Sequence, residues 1–227
     1  MRPATEDTLA TPLRLPLRIA GAFLTIVLPF LLVMINVRLI MTPVFLQLEY
    51  TRPGFPQDIY GLTIEDRLHY APSAVNYLLN GESIVFLADL TFPDGTNLFK
   101  ARELRHMRDV KDLTQIAFAV TVAAGLLAIV CGYFLKRNGR LKIALFRGGI
   151  LTIGLIVTII VAAALSWETF FTGFHQMFFE GGTWYFAYSD TLIRLFPEQF
   201  WFDAALVIGG LTGVEALFVI LVTWLWR

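Results

Sequence analysis

Four stretches of this 227-residue chain, about residues 19–39, 113–135, 148–166 and 204–226, each hold close to the roughly 20 apolar residues that cross a hydrocarbon core. Such stretches are too many and too long to serve as the core of a small soluble domain. Mean hydropathy is +0.65. Charged residues make up 16% of the chain, against about a quarter in soluble domains. The fold class that follows is an all-α membrane protein with four transmembrane helices. The first run is long, and its exit, INVRLIMTPVF, lacks a small-residue cleavage pattern, so it reads as a retained anchor.

Lysine and arginine in the short loops set the direction of insertion. The link between the second and third runs, KRNGRLKIALFR, holds five basic residues and no acid. Arg2, Arg14 and Arg18 precede or open the first run, and Arg227 ends the chain. These segments are expected in the cytoplasm, with both termini inside. Segments 40–112 and 167–202 then face outward as an extracytoplasmic cap on a single membrane domain of residues 1–227. Within the first of them, Thr63 and Ser73 are N-cap candidates for two short helices, and Gly81 ends the second. The turn FPDGTN then precedes LFKARELRHMRDVKDL, a helix that should run unbroken into the second span. The single cysteine, Cys131, excludes an internal disulfide. A formal net charge of zero gives no electrostatic case for a nucleic-acid partner.

Segment 167–202 is an aromatic belt in which 14 of 36 residues are Phe, Tyr or Trp, nine of them Phe. Tyr and Trp favour the membrane interface, but Phe has no polar tip to favour it, so the excess suggests a packed pocket. One imidazole, His175, lies inside it, in FFTGFHQMFF. A second, His106, precedes Leu113 by seven residues and so sits ~10 Å beyond the hydrocarbon edge on a continuous helix. Both positions fall near the ester groups of lipid. Glu103 and Asp109 flank His106 at helical spacing, where a carboxylate would orient the ring. The plainer alternatives are solvated pairs Arg105–Asp109 and Arg108–Asp112, and a His175 bonded to a backbone carbonyl. His69 reads as a surface residue, and Asp190 as the cap of a short helix stopped by Pro197.

The segments ELRHMRDVKDL (103–113) and FHQMFFEGGTWYFAYSDTLIRLFPEQFW (174–201) resemble the signature stretches of the bacterial lipoprotein intramolecular transacylase family. The layout of four spans and an outer cap is also similar. The resemblance implies an O-to-N acyl transfer on a lipoprotein whose N-terminal cysteine carries a diacylglyceryl thioether. The sn-2 acyl chain moves to the free α-amino group, giving a lyso-form lipoprotein. It also implies that His106 and His175 are the catalytic pair. The belt formed by Phe171, Phe174, Phe178, Phe179, Trp184 and Tyr185 corresponds to the family's aromatic-rich site, while Glu103 and Asp109 enter as supporting carboxylates from their helical spacing alone. The implied partners are a diacylated lipoprotein and membrane lipids, at a site facing outward from a bacterial cell membrane.

Ester-to-amide exchange runs downhill, so no cofactor or metal is expected. One histidine would deprotonate the amine. The other, as imidazolium, would stabilise the oxyanion or protonate the departing alkoxide. Two other classes compete on sequence alone. Histidines from two helices can ligate haem axially, as in a membrane electron carrier, and an aromatic belt can also serve a non-catalytic scaffold.

Overall fold

The structure, a computed structural model, describes residues 11–179 and 181–225; Arg2, Glu180, Trp226 and Arg227 lie outside them. The helices are α1 (Thr11–Ile40), α2 (Pro43–Thr51), α3 (Ile64–Leu79), α4 (Val85–Ala88), α5 (Ala101–Arg137), α6 (Leu141–Leu165), α7 (Trp167–Phe178), α8 (Thr191–Leu195) and α9 (Glu198–Leu225). Among the described residues no strand forms, only an isolated bridge between Thr91 and Asn97 that closes the FPDGTN turn. Four helices are long and apolar enough to cross a membrane: α1 from Arg14, α5, α6 and α9. Their outward side chains, among them Leu126, Val130, Val157 and Phe218, are apolar and exposed, a surface that suits lipid rather than water.

The chain divides into two compact units. The first comprises the chain up to Ile35, Val120–Ile160 and the chain from Gly209. Leu24, Val27 and Leu135 are buried in a cluster that joins α1 to α5, while glycines let α6 come close to its neighbours, a device common where lipid removes the hydrophobic drive between helices. A Cβ on Gly148 would stand 2.8 Å from Leu28 Cδ2 and 3.3 Å from the Thr25 carbonyl. On Gly149 it would stand 2.7 Å from Ile220 Cγ1 and 3.2 Å from the Ala216 carbonyl. This glycine pair lets α6 touch α1 on one side and α9 on the other.

The second unit comprises Asn36–Ala119 and Val161–Ile208. It has a conventional core in which Leu46, Tyr50, Tyr77, Leu87, Leu98 and Leu195 are fully buried. Polar ties from buried side chains join its distant segments. The Tyr50 hydroxyl donates to the Leu195 carbonyl (2.9 Å), and Arg67 donates to the carbonyls of Arg194 (3.0 Å) and Pro56 (2.8 Å).

Thr63 caps α3 as expected, in a reciprocal capping box with Asp66. Ser73, however, starts no second helix. The helix runs through Pro72 to Leu79, and the next short helix is α4. An internal proline costs a hydrogen bond and some strain. Burial of Tyr70, Ala71, Ala74 and Tyr77 on the same helix offsets that cost. The stretch from residue 101 into the second apolar run is one unbroken 37-residue helix.

Candidate active site

His106 and His175 both belong to the second unit and meet there. Their ring centroids are 6.4 Å apart and the planes are inclined by 26°. His106 lies on the second turn of α5, before the apolar stretch begins at Leu113, and is 7% exposed. The start of that helix is held by Glu103, whose Oε2 accepts the backbone N–H of Lys100 at 2.7 Å. This back-bond satisfies one of the donors a helix start leaves free.

His175 arrives from α7. Ser166 interrupts α6 and caps α7, its hydroxyl accepting the Thr169 N–H. His175 is in the last turn of the 12-residue helix, and its Nδ1 is 2.8 Å from the Phe171 carbonyl oxygen. A carbonyl only accepts, so Nδ1 carries the proton and Nε2 of the neutral ring is left with its lone pair.

Aromatic rings wall the pair. Phe179 contacts both imidazoles, at 5.0 Å from His106 and 5.7 Å from His175. Phe171 (4.1 Å) and Trp184 (4.7 Å) lie against His175, and Phe186 (5.3 Å) against His106. The electrostatic consequence is that both imidazoles are held neutral. Burial, with a smaller push from His175, lowers His106 to about 4. Burial also lowers His175, against the opposing effect of its bond to Phe171. Among the described residues Nδ1 of His106 is sealed from solvent without a partner, which leaves Nε2 as the nitrogen able to meet another molecule.

The family model for lipoprotein intramolecular transacylases (Lit) matches residues 22–201, a range that contains both histidines. The chain belongs to that family. An uncharacterised protein of Aquifex aeolicus is 29% identical over 204 residues, covering 88% of this chain and 93% of its own. The solved structure of the membrane-integral lipoprotein intramolecular transacylase from Bacillus cereus has a TM-score of 0.75 at 20% identity, covering 89% of this chain and 92% of that one. A variant of the Bacillus cereus protein gives a TM-score of 0.73 at 18% identity, covering 95% and 93%. The protein is therefore an all-helical, multi-pass membrane protein of an acyltransferase family.

Within this Lit family member the supporting residues divide. Glu103 is fully buried, but it does not orient His106 through a hydrogen bond. Its two oxygens are taken by the N–H groups of Lys100 and, at 2.6 Å, Leu192. Asp109 forms no hydrogen bond or ion pair among the described residues, and neither the Arg105–Asp109 nor the Arg108–Asp112 pair closes. Phe174 touches His175 at 5.6 Å with its edge and is 47% exposed. Phe178 packs on Phe174 rather than on an imidazole. Tyr185 stacks on the far partner, Trp184, at 3.9 Å.

Two contributions had no clear signal in the sequence. Phe186 is one of many phenylalanines in the belt. Asp190 occupies the N-cap position of α8 but makes no capping bond there. Its fully buried carboxylate instead accepts from the Ala187 N–H, Lys100 Nζ and Arg102 Nη2. Burial pushes the Asp190 carboxyl upward, but these cations and the N–H group outweigh it and hold the pKa below its ordinary value. The cap of α8 is supplied by Glu103 from another helix.

Proposed function

We propose that this protein moves the sn-2 acyl chain of a diacylglyceryl-cysteine lipoprotein to the cysteine's own α-amino group, with His175 as base and His106 as a neutral hydrogen-bond donor. The observation that carries the reading is the near-parallel pair of imidazoles inside an aromatic enclosure. At 6.4 Å between centroids, the edge nitrogens of both rings can serve one ester placed beside the pair, where the in-plane lone pair of one ring and the in-plane N–H of the other reach it. Phe179 stands beside the midpoint of the pair, inside the footprint of any macrocycle ligated by both rings, which disfavours the haem alternative.

The amine nitrogen attacks the sn-2 carbonyl carbon, and Nε2 of His175 accepts the amine proton. His106 donates its Nε2–H to the oxyanion. As a neutral imidazole held near pKa 4, it donates the N–H it already carries without first gaining a proton, in place of the imidazolium expected from sequence. When the bond from the carbonyl carbon to the glyceryl oxygen breaks, His175 returns the proton to that oxygen. The products are an amide and a glyceryl hydroxyl. No acyl-enzyme is needed, because donor and acceptor belong to one substrate. The rings exclude water that would otherwise hydrolyse the ester.

The test is mass spectrometry of a lipoprotein's N-terminal peptide after expression in a host lacking other N-acylating activity. The wild type should give an N-acyl, monoacylglyceryl peptide. His175→Ala and His175→Gln should both lose about 10²–10⁴-fold in rate, since neither supplies a base. His106→Ala should lose about 10²–10³-fold, whereas His106→Gln, which keeps an N–H donor, should lose less. Equal losses for His106→Gln and His106→Ala would overturn the donor role. An unchanged diacylglyceryl peptide with folded wild-type enzyme present would overturn the transacylase reading.

A further inference from the structure

Beside the histidine pair lies an open surface hollow of about 590 Å³ that neither histidine lines. Gln176 lines it together with the apolar Met177, Phe178, Phe179, Trp184 and Tyr185 and the Gly181–Gly182 turn. Phe179 and Trp184 thus serve two spaces, since each also touches His175. We infer that this cavity is a peptide subsite, which receives the residues that follow the modified cysteine of the lipoprotein. The inference rests on the transacylase reading and says where one of the substrate's arms goes.

A diacylglyceryl-cysteine held at the imidazoles has three arms: the reacting acyl chain, the second acyl chain and the polypeptide. The cavity suits the third. Its volume falls within the ~300–1,000 Å³ of ligand sites, where aromatic walls combine with a few placed polar groups. Gln176 follows His175 directly, projects from the exposed side of α7, and forms no hydrogen bond among the described residues. Its amide offers both donors and an acceptor, a match for a peptide unit and a mismatch for a methylene chain.

Two exposed glycines lie along its edge. Gly181 and Gly182 have φ of +52° and +78°, a region that side chains disfavour. A Cβ on Gly181 would meet nothing within 4 Å, so main chain faces open space there and a second main chain can approach it. Aliphatic surface for the two acyl chains is abundant elsewhere, along the exposed sides of the four long helices.

The experiment uses the full-length enzyme in mixed micelles with synthetic diacylglyceryl-cysteine substrates of identical acyl chains. They carry a cysteine amide, or one, two or four further residues. KM should fall with the first two added residues, raising kcat/KM about tenfold, the worth of two ordinary hydrogen bonds. In Gln176→Ala that rise should shrink to about twofold or less. Gln176→Trp, which fills the cavity, should make longer peptides poorer substrates than the cysteine amide. If product forms with the same KM at every length, the subsite is overturned and the transacylase reading stands. If Gln176→Ala alters the preference for second-chain length and leaves the peptide dependence intact, the cavity holds acyl chain and the inference fails. Absence of N-acyl product at every length overturns the transacylase reading, and the subsite with it.

Discussion

At His175 the 2.8 Å bond from Nδ1–H to the Phe171 carbonyl decides which nitrogen is free. The bond is local, within one helical turn, so it needs no distant residue to set the tautomer. Among the described residues His106 has no such partner on Nδ1, and burial, with a smaller push from His175, keeps it neutral. These differences argue for unequal roles and for a specific pH dependence. Protonating either the substrate's α-amine, with an ordinary pKa of about 7.7–8.0, or His175 removes a reactant, so kcat/KM falls as pH drops. Burial holds His175 below 6.5. A single-proton limb, from the amine, should therefore appear between about pH 6.5 and 8, and the second limb only at lower pH. His106, near 4, should add nothing above about pH 5. A profile flat from about pH 5 to 8 would show that the amine's proton does not limit the reaction, and the lack of a second limb at any lower pH would count against His175 as base. A two-proton slope already at about pH 7 would show that burial does not depress it.

Between α5 and α8 the helix termini exchange acids. Glu103 of α5 caps α8 through the Leu192 N–H, while Asp190, at the start of α8, accepts from Lys100 and Arg102 at the start of α5. Residues 184–186, which place Trp184 and Phe186 on the two imidazoles, run directly into this clamp. The clamp is asymmetric, because Asp190 is fully buried while the side chains of Lys100 and Arg102 are 60% and 50% exposed. Asp190→Asn frees cations that water can rehydrate and should cost about 1–2 kcal/mol. Lys100→Met with Arg102→Met strands a buried carboxylate and should cost about 3–5 kcal/mol. Thermal unfolding and transacylation rates of the two variants check this, and a more damaging Asp190→Asn would refute it. Such an exchange is hard to see in a sequence. The helix from Ala101 and the N-cap at Thr63 were legible, since their signals lie within a few residues. So were the two histidines, through a motif. Glu103 and Asp190 are 87 positions apart in number, and each looks locally like an acid for its own helix. The passage of α3 through Pro72 was hidden for a similar reason: the packing of Ala71 and Ala74 against the rest of the unit decides it.

For the whole molecule, the four long helices were legible because lipid demands length and apolarity in every residue facing it, and both can be counted. The direction of insertion follows from charge rather than from helix geometry. The turn between α5 and α6 lies in a stretch with five basic residues and no acid from Lys136 to Arg147, whereas the first turn of α3 carries Glu65 and Asp66. By the positive-inside rule we propose that the former stays in the cytoplasm and that the latter, in the same compact unit as the two histidines, is carried outside. The single cysteine makes the test clean. In a Cys131→Ser background, Glu65→Cys should react with a membrane-impermeant maleimide in intact cells. Asn138→Cys, in the exposed turn after α5, should react only after the membrane is opened. The reverse pattern would put the imidazoles in the cytoplasm. A lipoprotein whose modified cysteine is presented on the outer face would then have no access to them, and the transacylase reading would need a different substrate.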